Sequence, residues 1–257
     1  MISYQDILGI ELIPTPPNRP HEIDLGVIEG PLITGAAASQ LDLLWMLEKE
    51  TNPELFDGPI LVIRVDDLRE GDLLVRRWSY KRHFCLKNTL FRSLGVQGLV
   101  IGRDHAGTEH LLLGRRSSSV RMYPGLWENA PSGGVPPPPT GVDELHRDHI
   151  LKALMNEGLE EIGLSLDPQH AQFIATLEDQ TARSFDLVFR LELGVAINST
   201  RLPCAIHEDG RWEYADAAWV PMTNLRNWVE QNAHAVSPPT RALTRWLTEP
   251  PQVPHSP

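Results

Sequence analysis

Hydrophobic and polar positions change their spacing along the chain, and the first third combines short helical and strand-like stretches. Apolar residues at helical spacing predict a helix over 39–50, with Ser39 as its N-cap. Two apolar runs over 59–65 and 73–78, joined by a charged turn with one glycine, predict a β-hairpin. A short helix is expected over 89–94. Together these stretches predict a small accessory α+β module.

From Gly95 onward, strand and helix patterns follow one another in longer stretches. Period-two alternation predicts five strands, at 96–103, 110–116, 173–178, 184–195 and 213–221. Helical spacing predicts three helices, at 142–162, 224–232 and 239–247. This order suits an α/β/α sandwich. We therefore predict three parts, namely the accessory module at 1–94, the main α/β domain at 95–249 and a short tail at 250–257.

Composition and charge narrow the class of protein. The 257 residues carry a formal net charge of −11 and are 41% hydrophobic and 22% charged, values ordinary for a globular protein. This acidic balance, without a basic stripe, argues against a nucleic-acid partner. No apolar run reaches the ~20 residues that span a bilayer, so we expect no membrane partner. Cys85 and Cys204 are too few for a disulfide framework or a zinc site, and the N-terminus lacks signal-peptide character, so we expect a cytoplasmic protein.

Three carboxylates stand close together on the long helix predicted over 142–162. Glu157, Glu160 and Glu161 are spaced i, i+3 and i+4, so they lie within reach of one another, off the buried stripe and exposed. Three neighbouring anions repel, and no Lys or Arg at these spacings offsets them. A solvated helix face is the simpler interpretation, but oxygen ligands at this spacing suit a hard cation, Mg²⁺ or Mn²⁺.

This helix and the glycine-rich stretch before it resemble the Nudix hydrolase family. The family's box runs G-x5-E-x7-R-E-U-x-E-E-x-G-U, where U is a bulky aliphatic residue. Glu157 matches the glutamate of the R-E pair, Glu160 and Glu161 match the E-E pair, and the Gly-Leu pair that follows matches the end of the box. The Gly-Leu-Trp and Ser-Gly-Gly phrases within 125–134 are similar to those that precede the box in the family. A Trp-Val-Pro stands at the expected distance downstream.

The first half of the box departs from the family pattern. Asp148 stands where the family has a glutamate, and a proline-rich insertion at 136–141 separates it from Gly134. Asn156 replaces the family's arginine, and Gly158 replaces the usual aliphatic residue. Because that arginine helps to orient the catalytic carboxylate in the family, its replacement bears on the rate of any reaction.

The resemblance implies a Nudix-type α/β/α sandwich that hydrolyses a nucleoside diphosphate linkage with Mg²⁺. It implies that Glu160 and Glu161 are direct metal ligands and that Glu157 is a ligand or the proton acceptor. The carbonyl of Gly133 is implied as a further ligand. The partner would be a small molecule linked to a nucleoside diphosphate.

Residues outside the box complete the predicted site. Glu213 is the first candidate for a general base from a later loop, with Glu208 and His207 behind it, and a surface acid is an equal interpretation. Four side chains are candidates for binding the substrate: Arg115, Arg116, Tyr80 and Lys81. The arginines could clamp a diphosphate, and the tyrosine and lysine could hold a base and a phosphate. Solvated strand and linker ends are the simpler interpretations.

A finer resemblance and two alternatives refine the functional prediction. The phrase at 52–59, the phrase at 78–81 and the extra N-terminal module are similar to the Nudix subgroup that cleaves UDP-glucose, which implies a nucleotide-sugar substrate. Asn156 in place of arginine favours the first alternative, a Nudix-fold binding module or sensor without turnover. An isomerase of the same fold, acting on a prenyl diphosphate, is disfavoured because no cysteine lies near the Gly-Leu-Trp phrase. The sequence leaves the oligomeric state open.

Overall fold

One connected β-sheet runs through the protein. The computed structural model describes residues 4–5, 9–14, 23–70, 74–86, 89–197 and 213–248. The sheet in these ranges has 13 strands. Their bounds are β1 Tyr4–Gln5, β2 Ile10–Pro14, β3 Asp24–Glu29, β4 Pro59–Arg64, β5 Leu74–Ser79, β6 Phe91–Arg103, β7 Glu109–Arg116, β8 Trp127–Asn129, β9 Ser132–Gly134, β10 Glu144–His146, β11 Ala171–Asp179, β12 Ser184–Ala196 and β13 Tyr214–Pro221.

Helices flank this sheet. The α-helices are α1 Ala36–Thr51, α2 Val65–Glu70, α3 Tyr80–Cys85, α4 Arg147–Ile162, α5 Leu225–Gln231 and α6 Pro238–Thr248. Short 3₁₀ turns lie at Pro168–His170, Met222–Asn224 and Ala233–Ala235. α4 ends at Gly163, whose φ of 68° lies in the left-handed region that glycine adopts without strain. Within the described ranges, no helix has the length and apolar character needed to cross a membrane.

Strand β6 is the centre of the sheet. It runs parallel to β12 along one side and pairs in turn with β4, β9 and β7 along the other, each antiparallel. β13 and β8 extend the sheet from β7, whereas β11, β2 and β1 extend it from β12. The five strands predicted after Gly95 are all present, which confirms this part of the sequence prediction.

Helices cover both faces of the central strands. Alternate residues of a strand point to opposite faces, and β6 shows this clearly. Val100 packs in one core cluster with Leu154 of α4. Leu99 and Ile101, on the other face, pack with Leu243 of α6. Two apolar layers on either side of one sheet confirm the predicted α/β/α sandwich.

The N-terminal elements extend the same sheet. β4 pairs with the start of β6, where Val62 lies opposite Ser93, and β5, β3 and β10 follow from β4. β4 and β5 are antiparallel, so the predicted pairing of these two strands is confirmed, but α2 takes part of their connection, where a turn was predicted. The division at residues 94 and 95 falls inside β6 and stays a prediction. The predicted tail at 250–257 lies outside the described residues.

Three local predictions are wrong. α1 is capped by Gly35 rather than Ser39, which lies inside the helix and donates from its hydroxyl to the Gly35 carbonyl. Residues 89–94 form no helix, because pairing with β4 draws their last four residues into β6. α4 begins at Arg147 rather than at 142, because the residues before it form β10 and pair with β3.

Candidate active site

A glycine loop on β6 brings backbone and carboxylate groups into close contact. β9 pairs with β6 so that Gly133 lies opposite Val96. A Cβ atom added to Gly133 would lie 2.0 Å from Oε1 of Glu157, so only glycine leaves room for this carboxylate. On β6, a Cβ added to Gly95 would lie 2.0 Å from Oδ1 of Asp186. Two carboxylates therefore approach the backbone at positions that carry no side chain.

The three carboxylates predicted on α4 lie in three different environments. Glu157 is half-buried, Glu160 is exposed and Glu161 is buried. Burial, followed by repulsion from Glu160 and Glu213, raises the pKa of Glu157 to about 7. Burial, followed by the charge of Glu213, raises the pKa of Glu161 well above its usual range. Removal from water and mutual repulsion thus both disfavour full ionisation of this group.

The prediction that Glu161 is exposed is wrong. Its side chain is only 5% accessible, and one of its oxygens accepts a hydrogen bond from the backbone N–H of Ser132 at 3.0 Å. The reason is tertiary, because α4 packs against the loop that carries β9. Glu161 therefore joins the carboxylate helix directly to the glycine loop.

A buried ion-pair network lies beside this loop and includes a residue that the sequence analysis missed. Glu128 is 6% exposed and accepts hydrogen bonds from Arg116 Nη1 at 2.5 Å and from the Tyr214 hydroxyl at 2.8 Å. The Ser132 hydroxyl also donates to Glu128, at 3.3 Å. The other terminal nitrogen of Arg116 lies 2.8 Å from Glu213. Arg116 thus holds two carboxylates at the edge of the site, and its guanidinium is engaged by them.

Glu213 lies with the α4 carboxylates, as its charge raises the pKa of both Glu157 and Glu161. The weaker candidates Glu208 and His207 lie outside the described residues. Asp186 is a second residue that the sequence analysis missed, and burial raises its pKa to about 7. An acid within an apolar strand was the available signal for Asp186, because a buried carboxylate is costly unless it is partnered or used.

A cavity of about 630 Å³ opens next to these groups. Its lining includes four of the residues predicted for the site, namely Gly133, Glu213, Arg116 and Tyr80. Asp186 and Glu128 also line it. Because Tyr80 comes from α3 and Gly133 from β9, the N-terminal elements and the sandwich build the cavity together.

Two of the predicted substrate-binding residues do not line the cavity. Arg115 precedes Arg116 on β7 and faces the opposite side of the strand, where its guanidinium lies 5.9 Å from the Trp127 ring centre. The ammonium of Lys81 pairs with Asp42 of α1 at 3.0 Å. Lys81 therefore ties α3 to α1 in this structure.

The donor set suits a hard divalent cation in its chemistry. Glu157, Glu160, Glu161 and the Gly133 carbonyl would supply oxygen ligands only, which Mg²⁺ and Mn²⁺ prefer. Among the described residues, no three Asp, Glu, His or Cys side chains converge closely enough to hold a metal as they stand. The raised pKa values of Glu157 and Glu161 indicate negative charge that a proton or a cation would neutralise.

Comparisons with known proteins give limited information. No family model matches the sequence, and no curated protein does. Three similar solved structures are a MutT protein from Methanosarcina mazei Go1, a NUDIX hydrolase from Alicyclobacillus acidocaldarius and the NUDIX domain of Shewanella oneidensis NrtR complexed with ADP ribose.

In this order, their sequence identities to this chain are 18%, 16% and 14%. The matches cover 60%, 60% and 61% of this chain, and 91%, 90% and 86% of the three solved chains. The TM-scores are 0.40, 0.42 and 0.39. At these values the likenesses carry no argument about fold or function.

Proposed function

We propose that this protein is a Nudix-type pyrophosphohydrolase that uses Mg²⁺, or Mn²⁺, to cleave a nucleoside diphosphate linked to a second moiety. One observation carries the proposal. The glycine loop and the carboxylate helix contact each other directly. In the sequence, only the resemblance to the Nudix box connects these two segments. Glu157 fills the space beside Gly133, and Glu161 accepts a hydrogen bond from Ser132.

In this proposal Glu157, Glu160, Glu161 and the Gly133 carbonyl hold the cation. A bound Mg²⁺ would neutralise charge that develops on the phosphoryl oxygens and would acidify the attacking water. Binding requires that Glu157 and Glu161 lose their protons. Their raised pKa values therefore couple metal affinity to pH.

Glu213 is the proposed general base. Its Oε1 lies 2.8 Å from Arg116, which orients the carboxylate so that Oε2 can accept a proton from water. Arg116 is the positioning residue in this scheme, because Glu128 and Glu213 share its guanidinium. Its predicted role as a phosphate clamp is replaced by this one.

The substrate that we propose is a nucleotide sugar such as UDP-glucose, split into a nucleoside monophosphate and a sugar phosphate. The cavity volume of about 630 Å³ and its shared construction from α3 and the sandwich support a ligand of this size. Tyr80 lines the cavity and is the residue that we propose for stacking on the base. We further propose that residues 1–94 act as a substrate-reading module of a cytoplasmic enzyme.

The test is a panel of nucleotide sugars, dinucleotides and nucleoside triphosphates, incubated with the full chain in Mg²⁺ and followed by separation of the products. Release of a nucleoside monophosphate, abolished by EDTA, is expected. The second candidate is a binding module without turnover, favoured by Asn156, which is exposed on α4 and offers no cation to Glu157. Tight binding of a panel member without product would select this candidate.

A further inference from the structure

One part of the cavity wall carries two arginines that form no ion pair with an acid among the described residues. Arg121 and Arg183 both line the cavity. In the part of the chain that the structure describes, neither forms an ion pair with an Asp or Glu side chain. The neighbouring Arg92, by contrast, pairs with Glu178 at 2.8 Å. Asp179 also lines the cavity, but it accepts hydrogen bonds from the Tyr123 hydroxyl and the Ala182 N–H. Arg121 and Arg183 therefore contribute positive charge to the cavity wall, whereas the carboxylates of α4 are negative.

The two arginines are held in place by groups that leave their charge intact. Arg183 donates to the backbone carbonyls of His83 and Leu86, each at 2.8 Å, at the end of α3. The Arg121 guanidinium lies 4.2 Å from the Phe84 ring centre and donates to the Tyr80 hydroxyl at 2.7 Å. A guanidinium has five N–H donors, so Arg121 keeps most of its donors for a ligand.

His83 supplies an independent sign of a missing partner. Its side chain is 7% exposed and lines the same cavity, yet its Nδ1 has no hydrogen-bond partner. Leaving a buried polar atom without a partner is unfavourable, so a ligand that supplied one would be stabilised here. Burial, followed by the charges of Arg183 and Arg121, lowers the pKa of His83 to about 4. The imidazole is therefore neutral near pH 7 and offers one donor and one acceptor.

Strand β6 contacts both the backbone of the segment that carries Arg183 and the glycine loop. The N–H of Ser93 donates to the Arg183 carbonyl at 2.9 Å, and Val96 lies opposite Gly133. The three residue-to-residue steps from Ser93 to Val96 span about 10 Å, at roughly 3.3 Å per step of extended chain. Such a span accommodates a sugar ring and its linkages. It is too long for two adjacent phosphoryl groups to bridge.

We propose that Arg121, Arg183 and His83 bind a second anionic group of the ligand, carried by the moiety beyond the diphosphate. The group is a carboxylate or a phosphate monoester, since both match the planar donors of a guanidinium. This inference rests on the proposed function only in assuming that the diphosphate of the ligand binds beside the carboxylates of α4.

The experiment compares two pairs of probes that differ by one anionic group. UDP-glucuronate and UDP-glucose test a carboxylate, and NADPH and NADH test a phosphate monoester. Calorimetry on the full chain in EDTA measures binding without the proposed hydrolysis, and turnover in Mg²⁺ is measured separately. We expect the charged member of at least one pair to bind about tenfold or more tightly than its neutral counterpart, and the responding pair identifies the group.

Substitutions assign the preference to the arginine. Arg121→Gln should reduce the ratio of affinities to about one, whereas Arg121→Lys should keep part of it. Arg82→Gln is the matched control, because Arg82 also lies over an aromatic ring, 3.9 Å from the centre of Trp78, but does not line the cavity. The ratio of affinities for the charged and neutral probes should be the same in Arg82→Gln as in the wild type. The ratio cancels any uniform loss of folded protein.

Equal affinities within both pairs, a preference that survives Arg121→Gln, or failure of all four probes to bind would overturn the anion site. Hydrolysis of UDP-glucose without any preference would overturn this inference and leave the proposed function intact. A preference removed by Arg121→Gln, without hydrolysis of any probe, would support the anion site and count against the hydrolase.

Discussion

Gly133→Ala is the substitution for which the structure gives the sharpest expectation. The added Cβ would meet Oε1 of Glu157 at 2.0 Å and its Cδ at 2.1 Å, so the carboxylate must leave its place. Overpacking of this kind costs about 1–3 kcal/mol of unfolding free energy. A catalytic group displaced by an ångström costs about a hundredfold in rate. We expect both losses, measured by urea unfolding and by turnover in Mg²⁺.

The neighbouring glycine provides the control. A Cβ added to Gly134 meets nothing within 4 Å, so Gly134→Ala should change the unfolding free energy by less than about 0.5 kcal/mol. A double-mutant cycle assigns the effect to one contact. In a Glu157→Ala background, Gly133→Ala should lose most of its penalty, which gives a coupling energy of about 1–3 kcal/mol.

The result that refutes this reasoning is equally clear. Gly133→Ala and Gly134→Ala could show the same unfolding free energy and the same turnover as the wild type. Glu157 would then not lie against the glycine loop, and the proposed metal site would lose its geometric support.

Four further outcomes are expected. Burial and neighbouring carboxylates raise the pKa of Glu157 from 4.5 to about 7, so the metal-free protein should become less stable as the pH rises from 4.5 to 7. Urea unfolding should show a fall in the unfolding free energy of about 1–3 kcal/mol over this range, and the fall should be smaller in Glu157→Gln. Glu161→Gln keeps an acceptor for Ser132 and should leave stability in EDTA unchanged or raised by up to about 1 kcal/mol, while abolishing the Mg²⁺-induced rise in Tm. Tyr80→Ala should raise KM about tenfold whereas Lys81→Ala leaves it unchanged, and equal effects on KM would contradict their different positions. Asn156→Arg, at an exposed position, should leave kcat unchanged or raise it, and a loss of both binding and turnover would place Asn156 in another role.

The sequence predicted the order of elements from Gly95 onward because their periodicity is local. It failed where a distant segment decided the structure. The start of α4 is set by β10, in which Leu145 pairs with Leu25. The local sequence pattern does not predict that pairing. Likewise, helical spacing placed Glu161 off the buried stripe, but the loop at Ser132 covers it.

Part of the site was within reach of simple rules. Consecutive strand residues face opposite sides, so Arg115 and Arg116 could not both line one cavity, and the period of two was sufficient to separate them. The pairing of Lys81 with Asp42 was not accessible, because it depends on how α1 packs against α3. The cavity itself requires the N-terminal strands to join β6, a long-range pairing that composition and periodicity do not encode.

Metal-dependent turnover at the carboxylate helix is the central claim, and one measurement tests it most directly. UDP-glucose and the rest of the panel are incubated with the wild type in Mg²⁺, with the wild type in EDTA and with Glu161→Gln in Mg²⁺, and nucleoside monophosphate is quantified. We predict product in the first sample, none in the second, and a kcat/KM reduced at least about a hundredfold in the third while the variant stays folded. Equal turnover in EDTA or by Glu161→Gln, or no product from any panel member in Mg²⁺, would contradict it.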